Sequence, residues 1–563
     1  MKSNFKHTVL HILSVLLFAV ISSVFSFEKV SASQNNYEYE DMIFDDSYLH
    51  IIDIEIDEEA WKQTTTHARE ENYVSCDVNL DGDKFENVGI RPMGNSSLKA
   101  IQDAGSDRFS LKIKFNCYDD NTFYYGLDKL TLNNLGCDPT CMKNYLAYHM
   151  MNDMNVPAPL SSYALIRING EDHHLALCVE AVDKSFAKRT LGDKHGELYK
   201  PDVFSIDIVK PSNFIKKEMT DVFAKKEGFR KDILGSIINV AFTDYEDSVN
   251  VSAGKYVGDD KDDYDVIFDK SVFKASKKDK KKYIAAVKGL NDPSKDPGDY
   301  IFTEYVIPYF AVHNFVNNYD GYTGYFVHNF YLIEKDSKLA MVPWDYNLAF
   351  GAFSVESAYK FFSDGFTDKP IDTGAKLSSD ESYVNYPIDT PCYFVSEKDR
   401  PMFGAWINNA KYKEEYHDVF RQFLTMYFED GKYDEETQKV RDLIFPYVEE
   451  GMTFYSTTQF EEAGINLDKY CNLRYQSIKG QLDGTIPSTL KGQEQAPDTL
   501  IKTGDLDLSK TIDFNGIFGY KSSDIQRTLT IITIIGIFLV IFIVIVIIYN
   551  VKRKRKSGER NGA

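Results

Sequence analysis

Three short clusters in the second half of the chain carry the residue types that phosphoryl chemistry needs. They are Asn317-Asn318-Tyr319-Asp320-Gly321-Tyr322-Thr323-Gly324, then His328-Asn329-Phe330-Tyr331-Leu332, then Pro343-Trp344-Asp345-Tyr346-Asn347. Phosphoryl transfer asks little covalent chemistry of a protein. It needs a carboxylate to orient the attacking hydroxyl, and an Asn plus an Asp to hold the magnesium that bridges the phosphates. Magnesium favours such oxygen ligands and keeps several waters. Asp320, Asn329 and Asp345 supply these groups in that order.

The surrounding elements are those that would position them. Residues 300–318 read as an apolar helix with a start or kink at Pro308, ending in the polar loop that holds Asp320. Two short strands follow, the second over Leu339 to Val342, leading to Asp345. The first ~190 residues are richer in strands. Ile51 to Ile56 alternates as a strand, Glu58 to Ala68 as a helix, and Cys76 to Ile90 as a hairpin about Asp81-Gly82. Asp77 to Asp83 begins like a calcium loop, but its twelfth position is Val88 where a bidentate Glu is needed, which favours the turn. Ser110 to Phe115 is a strand with Lys112 and Lys114 on one face. Thr140 to Met154 is helical, and Tyr163 to Ile168 and His174 to Val182 flank an Asn169-Gly170 turn. Residues 202–300 read as a polar insertion, with the run Lys277-Lys278-Asp279-Lys280-Lys281-Lys282 as a solvated face. Residues 402–484 read as amphipathic helices, and residues 486–527 as a stalk.

The ends and the composition narrow the setting. A basic start, an apolar run from Val9 to Phe25 and the small residues near Ala32 predict a signal peptide over 1–33. Leu529 to Tyr549 is apolar and uncharged, which predicts a transmembrane helix over 528–550. The basic run in 551–563 would then lie in the cytoplasm, making a single-pass membrane protein with an extracytoplasmic body. The 563 residues carry a net charge of −21, and the ends hide part of it: residues 1–33 carry +2 and residues 552–563 carry +5, leaving −28 between them. So acidic a body argues against a nucleic-acid partner. Seven cysteines exclude a disulfide-dense scaffold. Cys137 and Cys141 read as ordinary thiols or one local disulfide, since His149 is the only nearby histidine for a zinc site.

Several spaced blocks together carry a resemblance. They are Arg91-Pro92-Met93-Gly94-Asn95-Ser96-Ser97, Leu111-Lys112-Ile113-Lys114-Phe115, Leu130 to Leu135, Val179-Glu180-Ala181-Val182-Asp183-Lys184, the Asp320 and Asn329 clusters, and Pro343 to Gly351. In this order they resemble the CotH family, spore-coat-protein-H-like proteins with an atypical kinase fold. The resemblance covers residues 45–485 apart from the insertion. It implies an α+β, two-lobed protein-kinase-like fold: a strand-rich N-lobe over 34–190, a connection and insertion over 191–300, and a helical C-lobe over 301–485. It implies transfer of the ATP γ-phosphate, with Mg2+ or Mn2+, to Ser or Thr of an exported or coat protein. Asp320 would be the catalytic aspartate, and Asp345 and Asn329 the metal ligands. Lys112 or Lys114 would hold the phosphates, Gly94, Ser96 and Ser97 would form the phosphate-side turn, and Glu180 would lie near the adenine edge. Departures are the lack of GxGxxG, HRD and DFG strings and the nine-residue gap between Asp320 and Asn329, against five in ordinary kinases. A non-catalytic surface or coat-assembly protein, or transfer of another nucleotide-derived group, would use the same framework.

Overall fold

A computed structural model describes residues 37–94, 96–103, 105–201, 248–324, 327–353, 379–393 and 395–513. Seven strands close into a barrel in the order β1-β2-β3-β4-β5-β7-β6. They are β1 (His50–Glu55), β2 (Val74–Leu80), β3 (Asp83–Met93), β4 (Ser110–Lys114), β5 (Lys129–Asn133), β6 (Ser161–Ile168) and β7 (Glu171–Glu180). Neighbours are antiparallel except β1 and β6, which pair in parallel from His50 opposite Ala164. The period of two decides what lines the barrel: Leu111 and Ile113 of β4 are fully buried, while Lys112 and Lys114 face outward. Ile52, Val78, Ile90, Leu130, Leu132, Ile166 and Cys178 complete much of this core.

A second, larger core lies among the helices. Helix α1 (Lys143–Asp153) packs beneath the barrel, and α2 (Lys277–Leu290), α3 (Thr303–Phe315), α4 (Ala410–Leu424), α5 (Lys432–Glu449) and α6 (Thr457–Asp483) build the remainder. A three-stranded sheet of β8 (Glu197–Tyr199), β9 (Phe330–Lys335) and β10 (Lys338–Pro343) lies in this half, with β9 in the centre. The two halves are bonded together: Arg108 donates to the carbonyls of Gly451 and Thr453, and the Leu175 N–H donates to Met452.

Several expectations change. The kinase-like pair of lobes with a transmembrane helix is overturned, because the strand-rich part is a closed barrel. Local periodicity finds strands one at a time but cannot show that β1 closes onto β6 more than a hundred residues later. Among the described residues no helix is long and apolar enough to cross a membrane. The longest of these, α6, carries Glu461, Glu462, Asp468, Lys469, Arg474, Lys479 and Asp483. The single-pass membrane placement therefore has no support in the structure; the signal, span and tail expected at 1–33, 528–550 and 551–563 lie outside the described residues. The described part of the segment read as an insertion packs into the body: Tyr264, Ile267, Tyr283, Ile284 and Val287 are buried in the helical core. The lysine run there forms the exposed first turns of α2, capped by Ser276. The first part of the expected stalk lies against the body: Leu506, Leu508 and Thr511 are buried, and Lys143 donates to the Thr511 carbonyl.

Candidate active site

Helix α3 is buried from Val306 to Phe315, polar His313 and Asn314 included. Its last carbonyls have no partner within the helix. The fully buried guanidinium of Arg474 supplies them, with Nη2 2.7 Å from the Asn314 oxygen and Nε 3.3 Å from that of Phe315. The chain then turns at Asn317, whose φ is +46° and whose side-chain amide donates to the Tyr383 carbonyl at 2.6 Å. A second buried arginine, Arg400, closes the far end of the loop by donating to the carbonyls of Tyr322 (2.7 Å) and Gly324 (2.6 Å). Gly324 has to be glycine, since a Cβ there would lie 1.7 Å from the Tyr319 oxygen. Asp320 is thus carried on a loop pinned at both ends.

The β9–β10 hairpin brings the other two groups to the same place. Phe330 lies opposite Pro343, so Asn329, just before β9, and Asp345, two residues after β10, emerge at one end of the hairpin. Asn329 donates from Nδ2 to Asp320 Oδ2 at 2.9 Å, and His328 Nε2 lies 3.2 Å from Asp320 Oδ1. Asn329 and Asp345 both sit at left-handed backbone angles, φ +58° and +56°. Such angles cost energy outside glycine and persist only where the surroundings enforce them. Helix α1 does so for the 345–347 turn. The Asp345 N–H donates to Tyr148 Oη at 3.0 Å, the Tyr346 N–H donates to Asn144 Oδ1 at 2.6 Å, and Lys143 Nζ lies 3.4 Å from the Asn347 carbonyl.

Asp345 is partly buried by area, but its Oδ1 is wholly enclosed and has no hydrogen-bond partner among the described residues. Burial, and next the negative charge of Asp320, push its carboxyl up to about 6; His328 and Lys200 act in the opposite direction. An enclosed, unpartnered carboxylate oxygen repelled by a second carboxylate fits a divalent cation, which would relieve both penalties. Asp345 and the Oδ1 of Asn329 are the oxygens available to hold it.

The outer face of the barrel presents cations. Lys112 lies opposite Arg91 on β3, and Lys114 opposite Lys129 on β5. Burial pushes the Lys112 ammonium down to about 8; Asp183 opposes this, while Lys129, Arg91 and Lys200 add to it. The charge of Lys200 acts on both Lys112 and Asp345. Gly94 follows β3 at φ +137°, where its N–H faces Glu71 Oε1 at 3.3 Å, and Ser96 and Ser97 open the short helix Ser96–Asp103.

Glu180 does not join the site. It is fully buried and held by Arg189 at 2.6 Å, by Tyr39 Oη at 2.8 Å and by the Leu160 N–H at 3.3 Å. Both carboxylate oxygens have protein partners. Sequence reasoning missed Lys200, which follows a three-residue strand with no pattern to mark it, and His328, which stands beside Asn329 in the quoted cluster but received no role. All seven cysteines are free thiols. Elsewhere, Asp46, His149 and Glu436 bring ligand atoms within 4.8 Å of one another. The Lys439 ammonium already sits there, 2.9 Å from Asp46 and 2.8 Å from Glu436.

The family to which this arrangement belongs is identified by sequence comparison. The model of the CotH kinase protein family matches residues 90–478, and the chain belongs to that family. The Inner spore coat protein H of Bacillus subtilis (strain 168) is 24% identical over 237 residues, 42% of this chain and 53% of that protein. The chain thus spans about half the length of the curated relative it matches.

Proposed function

We propose that the protein is an ATP-dependent protein kinase acting on serine or threonine, with coat or surface proteins as the substrate class. The carrying observation is the enclosed, unpartnered Oδ1 of Asp345 beside Asp320. Asp320, fixed by Asn329 and His328, would orient the acceptor hydroxyl and receive its proton. Lys112 would hold the phosphates. A bound Mg2+ or Mn2+ would supply neutralisation of the developing phosphate charge, held by Asp345 and Asn329. The fixed loop and turn favour a rate gained by positioning and preorganised electrostatics. The spore-coat setting is suggested by the relative's name and by the family.

The test is intact-mass analysis of the full-length protein after incubation with ATP and Mg2+ or Mn2+, alone and with candidate coat proteins. Added phosphate in the wild type and its loss in Asp320→Ala and Asp345→Ala are expected. Equal incorporation by wild type and Asp320→Ala would sink the assignment, and a nucleotidyl adduct would replace it with nucleotidyl transfer.

A further inference from the structure

We propose that His313 is a positioning residue that fixes the Asp320 loop against the Asp345 turn and thereby sets the distance between the two carboxylates. This rests on the phosphoryl-transfer reading for its consequence in rate, but its geometry stands apart from that reading. His313 lies in the last turn of α3 and is completely buried. Both ring nitrogens are used: Nδ1 is 2.8 Å from Tyr346 Oη, and Nε2 is 2.9 Å from Thr323 Oγ1. Tyr346 is the residue after Asp345, and Thr323 lies three residues after Asp320. One imidazole therefore bonds to both functional segments.

The ring is itself held rigidly. It stacks on Tyr309 with centroids 5.3 Å apart at 15°, and Tyr346 Oη continues to Tyr309 Oη at 3.2 Å. It also packs directly on the loop backbone, since a Cβ at Gly321 would lie 2.9 Å from His313 Cε1. Burial keeps the imidazole neutral, its pKa pushed down to about 3. A neutral imidazole has one donor and one acceptor nitrogen. Tyr346 Oη donates its proton to Tyr309 Oη and so accepts from Nδ1–H, while Thr323 Oγ1 donates to Nε2; the neutral ring satisfies both partners and the bridge needs no charge. Arg400 acts on the loop alone, and Asn144 and Tyr148 on the turn alone.

The bridge can be cut at three points in the full-length protein: His313→Gln, Thr323→Val and Tyr346→Phe. Two readouts are taken beside the unfolding midpoint: Mn2+ affinity followed by electron paramagnetic resonance without nucleotide, and kcat and KM for ATP. Thr323→Val removes one hydroxyl at constant shape and covers the case in which His313→Gln fails to fold. The expected result is Mn2+ binding about tenfold weaker in each folded variant, with kcat lowered about tenfold and KM for ATP within about twofold. Tyr346→Phe combined with His313→Gln should be no worse than His313→Gln alone, because both cut one bridge. A lowered midpoint with wild-type Mn2+ affinity and wild-type kcat per folded molecule would overturn the positioning role. A wild type that binds Mn2+ but transfers no phosphate would remove the kinase reading alone, since the metal-affinity arm still decides the role of His313.

Discussion

Asn329 donates its side-chain amide to Asp320 Oδ2 at 2.9 Å and to the Asp320 carbonyl at 3.1 Å, so a residue nine positions later fixes both the side chain and the backbone of the loop aspartate. With His328 on Oδ1, each carboxylate oxygen has a partner. Asn329→Ala leaves the Asp320 carboxylate held by His328 alone and removes an oxygen from the metal set. Phosphate transfer should fall about 10–100-fold while the fold loses only ~1–2 kcal/mol, the usual range for lost buried hydrogen bonds. Initial rates and urea unfolding of the same preparations check this. A variant with wild-type kcat would show that Asn329 serves the loop's stability only.

Asp345 carries the opposite kind of prediction. Its carboxyl titrates at about 6, above the ordinary 3.8, because it is buried beside Asp320. Between these two values the folded protein binds more protons than the unfolded chain, so this group makes stability fall as pH rises through about 6. Asp345→Asn removes the buried charge and should raise the unfolding midpoint by roughly a few degrees at pH 7.5, and by less at pH 5. Mg2+ should stabilise the wild type more at pH 7.5 than at pH 5, because the ligand must be ionised. It should leave Asp345→Asn unmoved. A variant less stable than wild type at pH 7.5 would refute the strained-carboxylate account.

What the sequence alone made legible divides along local and non-local lines. The hairpin turns were readable because Asp81-Gly82 and Asn169-Gly170 supply the left-handed angles, φ +52° and +106°, then +52° and +85°, that tight hairpins require. Asp320, Asn329 and Asp345 were readable because their order follows the chain. Barrel closure was not, since it depends on a parallel pairing between His50 and Ala164 that no local pattern encodes. The lysine run at 277–282 hid a core helix, because its charged first turns precede the buried Tyr283, Ile284, Val287 and Leu290. Glu180 looked available until the fold brought Arg189 and Tyr39 to it.

His313 gives an acid-side signature with the sign reversed from that of Asp345. Its folded pKa of about 3 lies below the ordinary 6.5 because the ring is buried. Between these values the unfolded chain binds the extra proton, so the stability His313 permits is present above about 6.5 and is lost as pH falls toward 3. Over the interval from pH 6.5 to pH 5 this amounts to about 2 kcal/mol. His313→Gln should therefore lose less stability than the wild type across that interval in denaturant titrations. The buried His174, also held well below its ordinary value by burial, contributes in the same direction in both proteins and cancels from the comparison. Parallel losses in the two would mean that His313 is already protonated when folded.

Lys112 should trade stability for nucleotide binding. Its ammonium is desolvated by burial and crowded by Lys129, Arg91 and Lys200, which together outweigh the attraction of Asp183 and push it down to about 8. In the folded protein without nucleotide it is therefore an unfavourable charge, tolerated because phosphates would neutralise it. Lys112→Met keeps the aliphatic stem on the barrel face and removes the charge. Its unfolding midpoint should equal or exceed that of the wild type, while the stabilisation by ATP with Mg2+ should vanish. Lys114→Met, on the same face but one pair further along the strand, should retain that stabilisation. Because the ammonium deprotonates near pH 8, ATP affinity in the wild type should weaken as pH rises from 7 to 9, and Lys112→Met should show no such slope. Thermal shifts across this pH range, with and without ATP, measure all three effects. A Lys114→Met protein that loses the ATP shift while Lys112→Met keeps it would reverse the assignment of the two lysines.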